Sequence, residues 1–325
     1  MRFDRLDNLK KRNSIFGKIM GEYSIVLITL IMVLVATLLE GGSFFSLKNF
    51  VNILRNGSVQ GIIAFGMSFV IISGNIDLSV GSQLVAAGIA CLATLNATGN
   101  IFLAMFAAVA LSIALSTLTG IIVTKGRVPS FIVTLGMQNI LRSVSIFVMN
   151  ARGITGENKS FQLISNSSLG GWLPMPIIYF LIVFAVYFYI SRFTVIGRRI
   201  YAVGSNEKAT RLSGINTDMV KIISFILLGI SVAIAAITEA SRMNSINSTS
   251  SGINYELNAI AMTVVGGISM VGGKGNLIGT LFGIFILGII NNILTLVGMD
   301  VYLVTAVKGS IIILAVLLQH NESKN

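Results

Sequence analysis

Charge is what this chain has least of. Only 11% of its 325 residues are Asp, Glu, Lys or Arg, while 54% are hydrophobic; soluble domains carry roughly a quarter charged residues. Cysteine and histidine are scarcer still, with one of each: Cys91 inside an apolar run and His320 near the polar C-terminus. That supply excludes a disulfide framework and a His/Cys metal cluster. It also leaves an intramembrane enzyme little from which to build a nucleophile or metal site. No Asp or Glu stands clearly in the middle of an apolar run, so an ion-coupled relay lacks its carriers. The net charge of +11 does not signal nucleic acid, because the basic residues fall between apolar runs instead of gathering on one polar segment.

What is present is apolar length. Runs of about 20 residues, as a hydrocarbon layer of roughly 30 Å demands of each helix, recur along nearly the whole chain, whose mean hydropathy is +0.87. They predict an all-α integral membrane protein with about ten transmembrane helices. The predicted spans are 23–39, 56–73, 79–96, 101–124, 129–149, 173–191, 220–240, 257–272, 276–297 and 301–318. The first run ends in Leu38-Leu39-Glu40 without a small-residue cleavage site, so it reads as an uncleaved span. The organisation that follows is a polar segment 1–22, a transmembrane domain 23–318 with a long polar loop over 192–220, and a tail 319–325.

Lys and Arg distribution orients the chain, since cytoplasmic loops collect them. With the N-terminus inside, the cytoplasmic side receives six in residues 1–22, Lys125 and Arg127, six in 192–221, Lys274 and Lys324. The outer side receives five: Lys48, Arg55, Arg152, Lys159 and Arg242. Both termini are therefore expected in the cytoplasm, and the polar stretch 150–172 outside.

Within the cytoplasmic loop, VGSNEKATRLSGIN (203–216) is written like a capped helix. Ser205 or Asn206 suits the N-cap, Glu207 the first turn and Gly214 the stop, which predicts two turns, about 12 Å. Ala209, Leu212 and Ile215 form an apolar stripe beside Glu207, Lys208 and Arg211. So short a helix must lie against something. Spacing alone allows its own membrane domain or a second protein.

Other positions carry chemistry. GGKGN (272–276) is not a P-loop, because Ile268 stands where the first glycine belongs and Gly275 replaces the hydroxyl; it reads as a tight turn marked by Gly273 and Lys274. In GNIDLSVGS (74–82), Asn75, Asp77 and Ser79 form a turn in which Ser79 caps the next helix or Asp77 accepts its first amides; a gate or partner contact is the alternative. A faint echo links this segment to GGISMVGG (266–273). Arg142 and Lys308 lie inside spans and are expected to snorkel, and Glu239 is expected to pair with Arg242. Gly279, Gly283 and Gly288 suit close helix packing. Ser68, Gln138, Asn139, Thr263, Asn291 and Asn292 offer uncharged partners to a neutral solute, or interhelical hydrogen bonds.

Several long motifs, in order, resemble the membrane permeases of bacterial ABC importers for ribose and related monosaccharides: GNIDLSVGS, VTKGRVPSFIVTLGM (123–137), IGRRIYAVGSNEKATRLSGIN (196–216), YELNAIAMTVVGGISMVGGKGNLIGTLFG (255–283) and NNILTLVGMDVYLVTAVKGSIIILAVL (291–317). The resemblance covers residues 24–318. It implies the ABC importer permease fold, a cytoplasmic ATPase subunit that uses the ATP, an extracytoplasmic sugar-binding protein, a second permease copy or paralogue, and no cofactor bound by the permease itself. It also implies that Gly204, Asn206, Glu207, Ala209, Arg211, Leu212 and Gly214 form the element received by the ATPase. Two departures stand out. Asn258 replaces the acid that usually follows YEL, and NSTSSGIN (247–254) replaces a glycine- and proline-rich approach to that span. The solute is left open among ribose, other monosaccharides, a nucleoside and a furanose signal molecule. An ion-coupled secondary transporter is the rival from another energetic class.

Overall fold

The computed structural model describes residues 46–300 without a break, together with 33, 34, 37, 44, 303–307, 309, 310 and 313. Segment 1–22, most of the expected first span, Lys308 and the tail with His320 lie outside the described residues. The last expected span is helical wherever it is described.

Eleven helices of six or more residues stand among the described residues. They are α1 Leu47–Ile72, α2 Val80–Thr98, α3 Ile101–Lys125, α4 Ser130–Val148, α5 Lys159–Asn166, α6 Met175–Phe193, α7 Val195–Ser205, α8 Glu207–Leu212, α9 Thr217–Met243, α10 Tyr255–Val265 and α11 Leu277–Leu296. Six of them, α2, α3, α4, α6, α9 and α11, are long and apolar enough to cross a membrane. Their ends follow local chemistry: Asn100 accepts from the amides of Phe102 and Leu103 to start α3, and Gly99, at φ +67°, stops α2.

Two expected spans differ from the sequence reading. The helix expected at 56–73 begins nine residues earlier, because Ser46 caps it by accepting from Asn49 N at 3.1 Å. The span expected at 257–272 is only the 11-residue α10, because Gly266 and Gly267 end it and Gly267, Gly272, Gly273 and Gly275 all hold positive φ in the turn that follows. The all-α expectation also needs qualifying. β1 Gly153–Thr155 pairs antiparallel with β4 Ser245–Asn247, and β2 Ser168–Leu169 with β3 Leu173–Pro174. Both pairs, with α5, lie at the end of the molecule opposite α8.

α1 and α9 are the central helices, buried on nearly every side along much of their length. They touch where Gly66 meets Leu228 and Ser231; a methyl group on Gly66 would stand 2.9 Å from Leu228 Cα. With no water to expel between helices, such close approach and interhelical hydrogen bonds do the holding. The densest polar knot joins α2, α3 and α9. Gln83 Nε2 donates to Ser112 O (2.7 Å), Ser112 Oγ (3.0 Å) and Ser116 Oγ (2.7 Å), and Ser112 Oγ donates to Gly229 O at 2.8 Å. Replacing Gln83 with Leu strips the serines of that donor and is expected to destabilise the purified protein by about 1–2 kcal/mol, read as a lowered melting temperature in detergent. An unchanged melt would remove this knot from the account of stability.

Candidate functional site

At one end of the bundle α8 projects as a small, tied-down helix. Asn206 is its N-cap, accepting from Ala209 N at 3.0 Å, and Thr210 Oγ1 turns inward to donate to Ala202 O at 2.9 Å. It belongs to a network of four ion pairs, two of which tie it to α9. Glu207 meets Lys221 at 2.7 Å and Arg211 at 3.2 Å; Arg211 meets Asp218 at 3.1 Å, and Asp218 meets Lys125 at 3.2 Å. Thus α8, the first turn of α9 and the last residue of α3 share one charge network. The inward face is Thr210, not the expected stripe: Ala209 is exposed and Leu212, at 90%, is the most exposed large hydrophobic among the described residues. Only Ile215, beyond the helix, packs on the core. Gly214 at φ +81° stops the element, as its sequence suggests.

Partial burial raises the Glu207 carboxyl, but hydrogen bonds and charge from Lys221, with help from Thr217 and Arg211, outweigh it and leave it below its ordinary value of 4.5. A depressed carboxylate contributes stability above its unfolded pKa and loses it as pH falls through the folded one. Wild type is therefore expected to melt above Glu207→Gln at pH 7, with the difference beginning to shrink near pH 4.5 and vanishing only below the still lower pKa of the folded state. A difference that persisted in acid would show that the latch is not ionic.

Directly above α8 three chain segments meet through glycine. Gly204, at the end of α7, lies against the Ile72 carbonyl closing α1 and against Gly273; Gly272 lies against Gly74. Gly273 N donates to Ile72 O at 2.9 Å, and Tyr201 Oη donates to Gly275 O at 2.9 Å. The turns 74–79 and 266–276, whose sequences echo each other, are therefore neighbours, and each links a helix leaving this end to the next one entering it. In the first turn Asp77 Oδ1 accepts from Ser79 N at 2.8 Å and Ser79 Oγ at 2.6 Å, while Oδ2 is buried without a partner. Ser79 thus does not cap α2 with its side chain. Asn75 Nδ2 donates to Ser73 O at 3.2 Å, and Lys274 is exposed.

The opposite end holds what the sequence reading missed. The segment 247–254 is only partly a surface loop: Ser248 and Gly252 are buried while Thr249, Ser250 and Ile253 are exposed. It descends along α2, with Ile246 on Gly88 and Gly252 on Gly81, a drop of about 10 Å over seven helical residues. Its Asn and Ser side chains hold its turn together. Asn247 Oδ1 accepts from Thr249 N (2.9 Å) and Ser250 N (3.1 Å), and Ser251 Oγ accepts from Asn247 N at 3.0 Å. Arg142 does not snorkel outward. Its Nη1 donates to Ser248 O at 3.1 Å and Ser251 O at 2.8 Å.

Consequently α10 starts well inside the bundle, and Glu256, buried in its first turn, accepts from Gln138 Nε2 at 3.2 Å. An acid does lie within the bundle, contrary to the sequence reading, because the strap carries it inward. Glu239 and Arg242 also go separate ways: Glu239 accepts from Tyr255 Oη at 2.8 Å, and Arg242 donates to Arg55 O at 3.4 Å.

The six uncharged candidates are not brought together. Ser68 bonds Ala64 O and Thr280 Oγ1 in the core, Thr263 bonds Ile260 O on its own helix, and Asn139 is exposed on α4. Asn291 and Asn292 do share a cavity of about 240 Å3 between α1, α10 and α11, with Asn258 on its wall. Asn292 is clasped to Asn49 by two amide hydrogen bonds of 3.0 and 2.9 Å. The glycine spacing read for α11 is packing: Gly283 lies against Met262 O, and Gly279 O against Gly266.

Comparison with known proteins places this geometry. The family described as branched-chain amino acid transport system / permease component matches residues 49–316. A ribose import permease protein of Escherichia coli (strain K12) is 41% identical over 312 residues, covering 94% of this chain and 95% of that protein. One from Bacillus subtilis (strain 168) is 36% identical over 326 residues, covering 99% of this chain and all of that protein. The L-arabinose transport system permease protein of E. coli K12 is 30% identical over 312 residues, 95% of this chain and 93% of that one. No solved structure matches the chain.

Proposed function

The chain belongs to the branched-chain amino acid transport system permease family, and from its likeness to ribose import permeases over nearly its whole length we propose that it is the membrane subunit of an ATP-driven importer for ribose or a closely related monosaccharide. It resides in the bacterial cytoplasmic membrane as a multi-pass protein and works as a transport subunit, not as an enzyme. Its full complement is ten transmembrane helices over 23–318, with segment 1–22, the loop 192–220 and the tail 319–325 in the cytoplasm. Its partners are a cytoplasmic ATPase, an extracytoplasmic sugar-binding protein and a second permease, either another copy of this chain or a paralogue. No cofactor binds the permease itself, and ATP is consumed by the ATPase.

The observation that carries this reading is α8. A six-residue helix, immobilised by ion pairs on its membrane side and presenting Leu212 outward, is built to transmit force from a protein that grips it. Gly204 behind it joins the ends of α1 and α10, so the turns carrying Asn75, Asp77, Ser79, Gly273 and Lys274 form the gate that such a force moves.

Reconstitution tests it. Proteoliposomes holding the permease with its ATPase and binding protein are expected to accumulate ribose only with ATP. Vesicles holding the permease alone, under a proton or sodium gradient, are expected to accumulate none; gradient-driven uptake there would sink the reading.

A further inference from the structure

We propose that the cleft between α1, α10 and α11 is a transit site for one neutral, polyhydroxylated solute, with Asn258 setting which sugar is preferred. The proposal rests on the import reading and deepens it. The cleft's polar wall is made of Asn56, Gln60, Asn258, Asn291, Asn292 and Thr295. Four of these come from three different helices and have amides still free or weakly held. The half-buried side chains of Asn258 and Asn291, and that of Asn56 exposed at the rim, have no hydrogen-bond partner among the described residues, and Gln60 lies beside Tyr255. Unpaired amides inside a membrane bundle are costly unless water or a solute meets them. A carboxamide both donates and accepts, which matches a hydroxyl group, itself both donor and acceptor.

The wall also says what is refused. No ionisable side chain lines the cleft among the described residues. A zwitterion such as a branched-chain amino acid would leave its ammonium and carboxylate uncompensated there, whereas a sugar leaves nothing charged. The volume, about 240 Å3, holds about eight waters at roughly 30 Å3 each, the size class of one monosaccharide. Among the described residues no aromatic ring lines the cleft as a stacking platform, which suits weak binding and easy release. Below the cleft, α10 and α11 close through the glycine contacts at Gly266 and Gly283, and α10 ends in the turn held by Gly204. The site is thus open on one side and shut on the side that α8 moves.

Asn258 is the one polar wall residue that the short helix α10 supplies among the described residues, Met262 being apolar, and it lies one turn from the Tyr255–Glu239 hydrogen bond, so its amide is the group most easily changed without disturbing α1 or α11. The test uses the full transporter, permease with ATPase and binding protein. Asn291→Leu is expected to lower ribose uptake at least about tenfold, the worth of one lost hydrogen bond pair. Asn258→Asp is expected to change the ratio of pentose to hexose uptake by about as much, with assembly judged by co-purification of the ATPase. Assembled variants with wild-type uptake and wild-type preference would overturn the proposal. Asn291→Cys in membranes supplies a second readout that needs no transport, since Cys91 is buried. Labelling by a small polar thiol reagent should be slowed by ribose and not by leucine; no labelling, or no protection, counts against the site. If wild type moves no sugar yet ribose protects Asn291→Cys, the import reading fails while the cleft stands.

Discussion

Gly204→Val is expected to abolish uptake, at least about a hundredfold, while Gly214→Ala nearby leaves it within about threefold. The contrast comes from what each added side chain meets. A methyl group at Gly204 runs into the Ile72 carbonyl oxygen and stands 2.6 Å from Gly273 N, and that amide makes the 2.9 Å bond to the same carbonyl. All these atoms are backbone, so no rotamer can relieve the collision, and overpacking of this kind costs about 1–3 kcal/mol or more. The displacement falls on the contact that joins α7 to the ends of α1 and α10, so the motion of α8 no longer reaches either helix. Gly214 has φ +81° but nothing within 4 Å of its missing Cβ; alanine there brings local strain of about 1 kcal/mol and no clash. ATP-driven uptake, measured beside co-purification of the ATPase, separates the outcomes. Normal uptake by an assembled Gly204→Val transporter would mean that the glycine contact transmits nothing.

The same contact shows where sequence reading stops. Helices announced themselves wherever 18 or more apolar residues ran together, and Asn206, Glu207 and Gly214 wrote the ends of α8 in residue types whose capping chemistry is local. The echo between GNIDLSVG and GGISMVGG was visible as well, but the adjacency of the two turns was not, because Gly74 and Gly272 are nearly 200 residues apart and glycine advertises no partner. The strap 247–254 hid for another reason. Its polar residues look like an exposed loop, and only the carbonyl-binding Arg142 and the glycine facing at Gly81 reveal that its backbone runs down along α2. One misplaced segment then misplaced Glu256 and Asn258. The cleft's amides were legible as candidates at Asn291 and Asn292, yet Asn56 and Gln60 sit among charged and polar neighbours that resemble an ordinary helix end.

Leu212→Asp carries the other large expected effect, and it isolates the partner from the permease. Leu212 is 90% exposed and holds nothing of its own chain, so aspartate there should leave insertion, yield and melting temperature of the purified permease within experimental error. In the transporter the same side chain is the proposed anchor in the ATPase. Removing a central apolar anchor from an interface costs about 2–4 kcal/mol, and burying a carboxylate in its place adds desolvation that exposed Lys208, one turn back on α8, offsets by only about 0.5 kcal/mol. Arg211 cannot serve, since its guanidinium is already shared between Glu207 and Asp218. Affinity should fall at least about a hundredfold, with the ATPase lost on purification and uptake lost in cells. Leu212→Met, which keeps an apolar tip of similar volume, should restore both. If Leu212→Asp instead retained the ATPase, α8 would not be the docking element, and the other apolar tip at this end, Val271 at 84% exposed in the turn beside Gly272, would be the place to look for the grip.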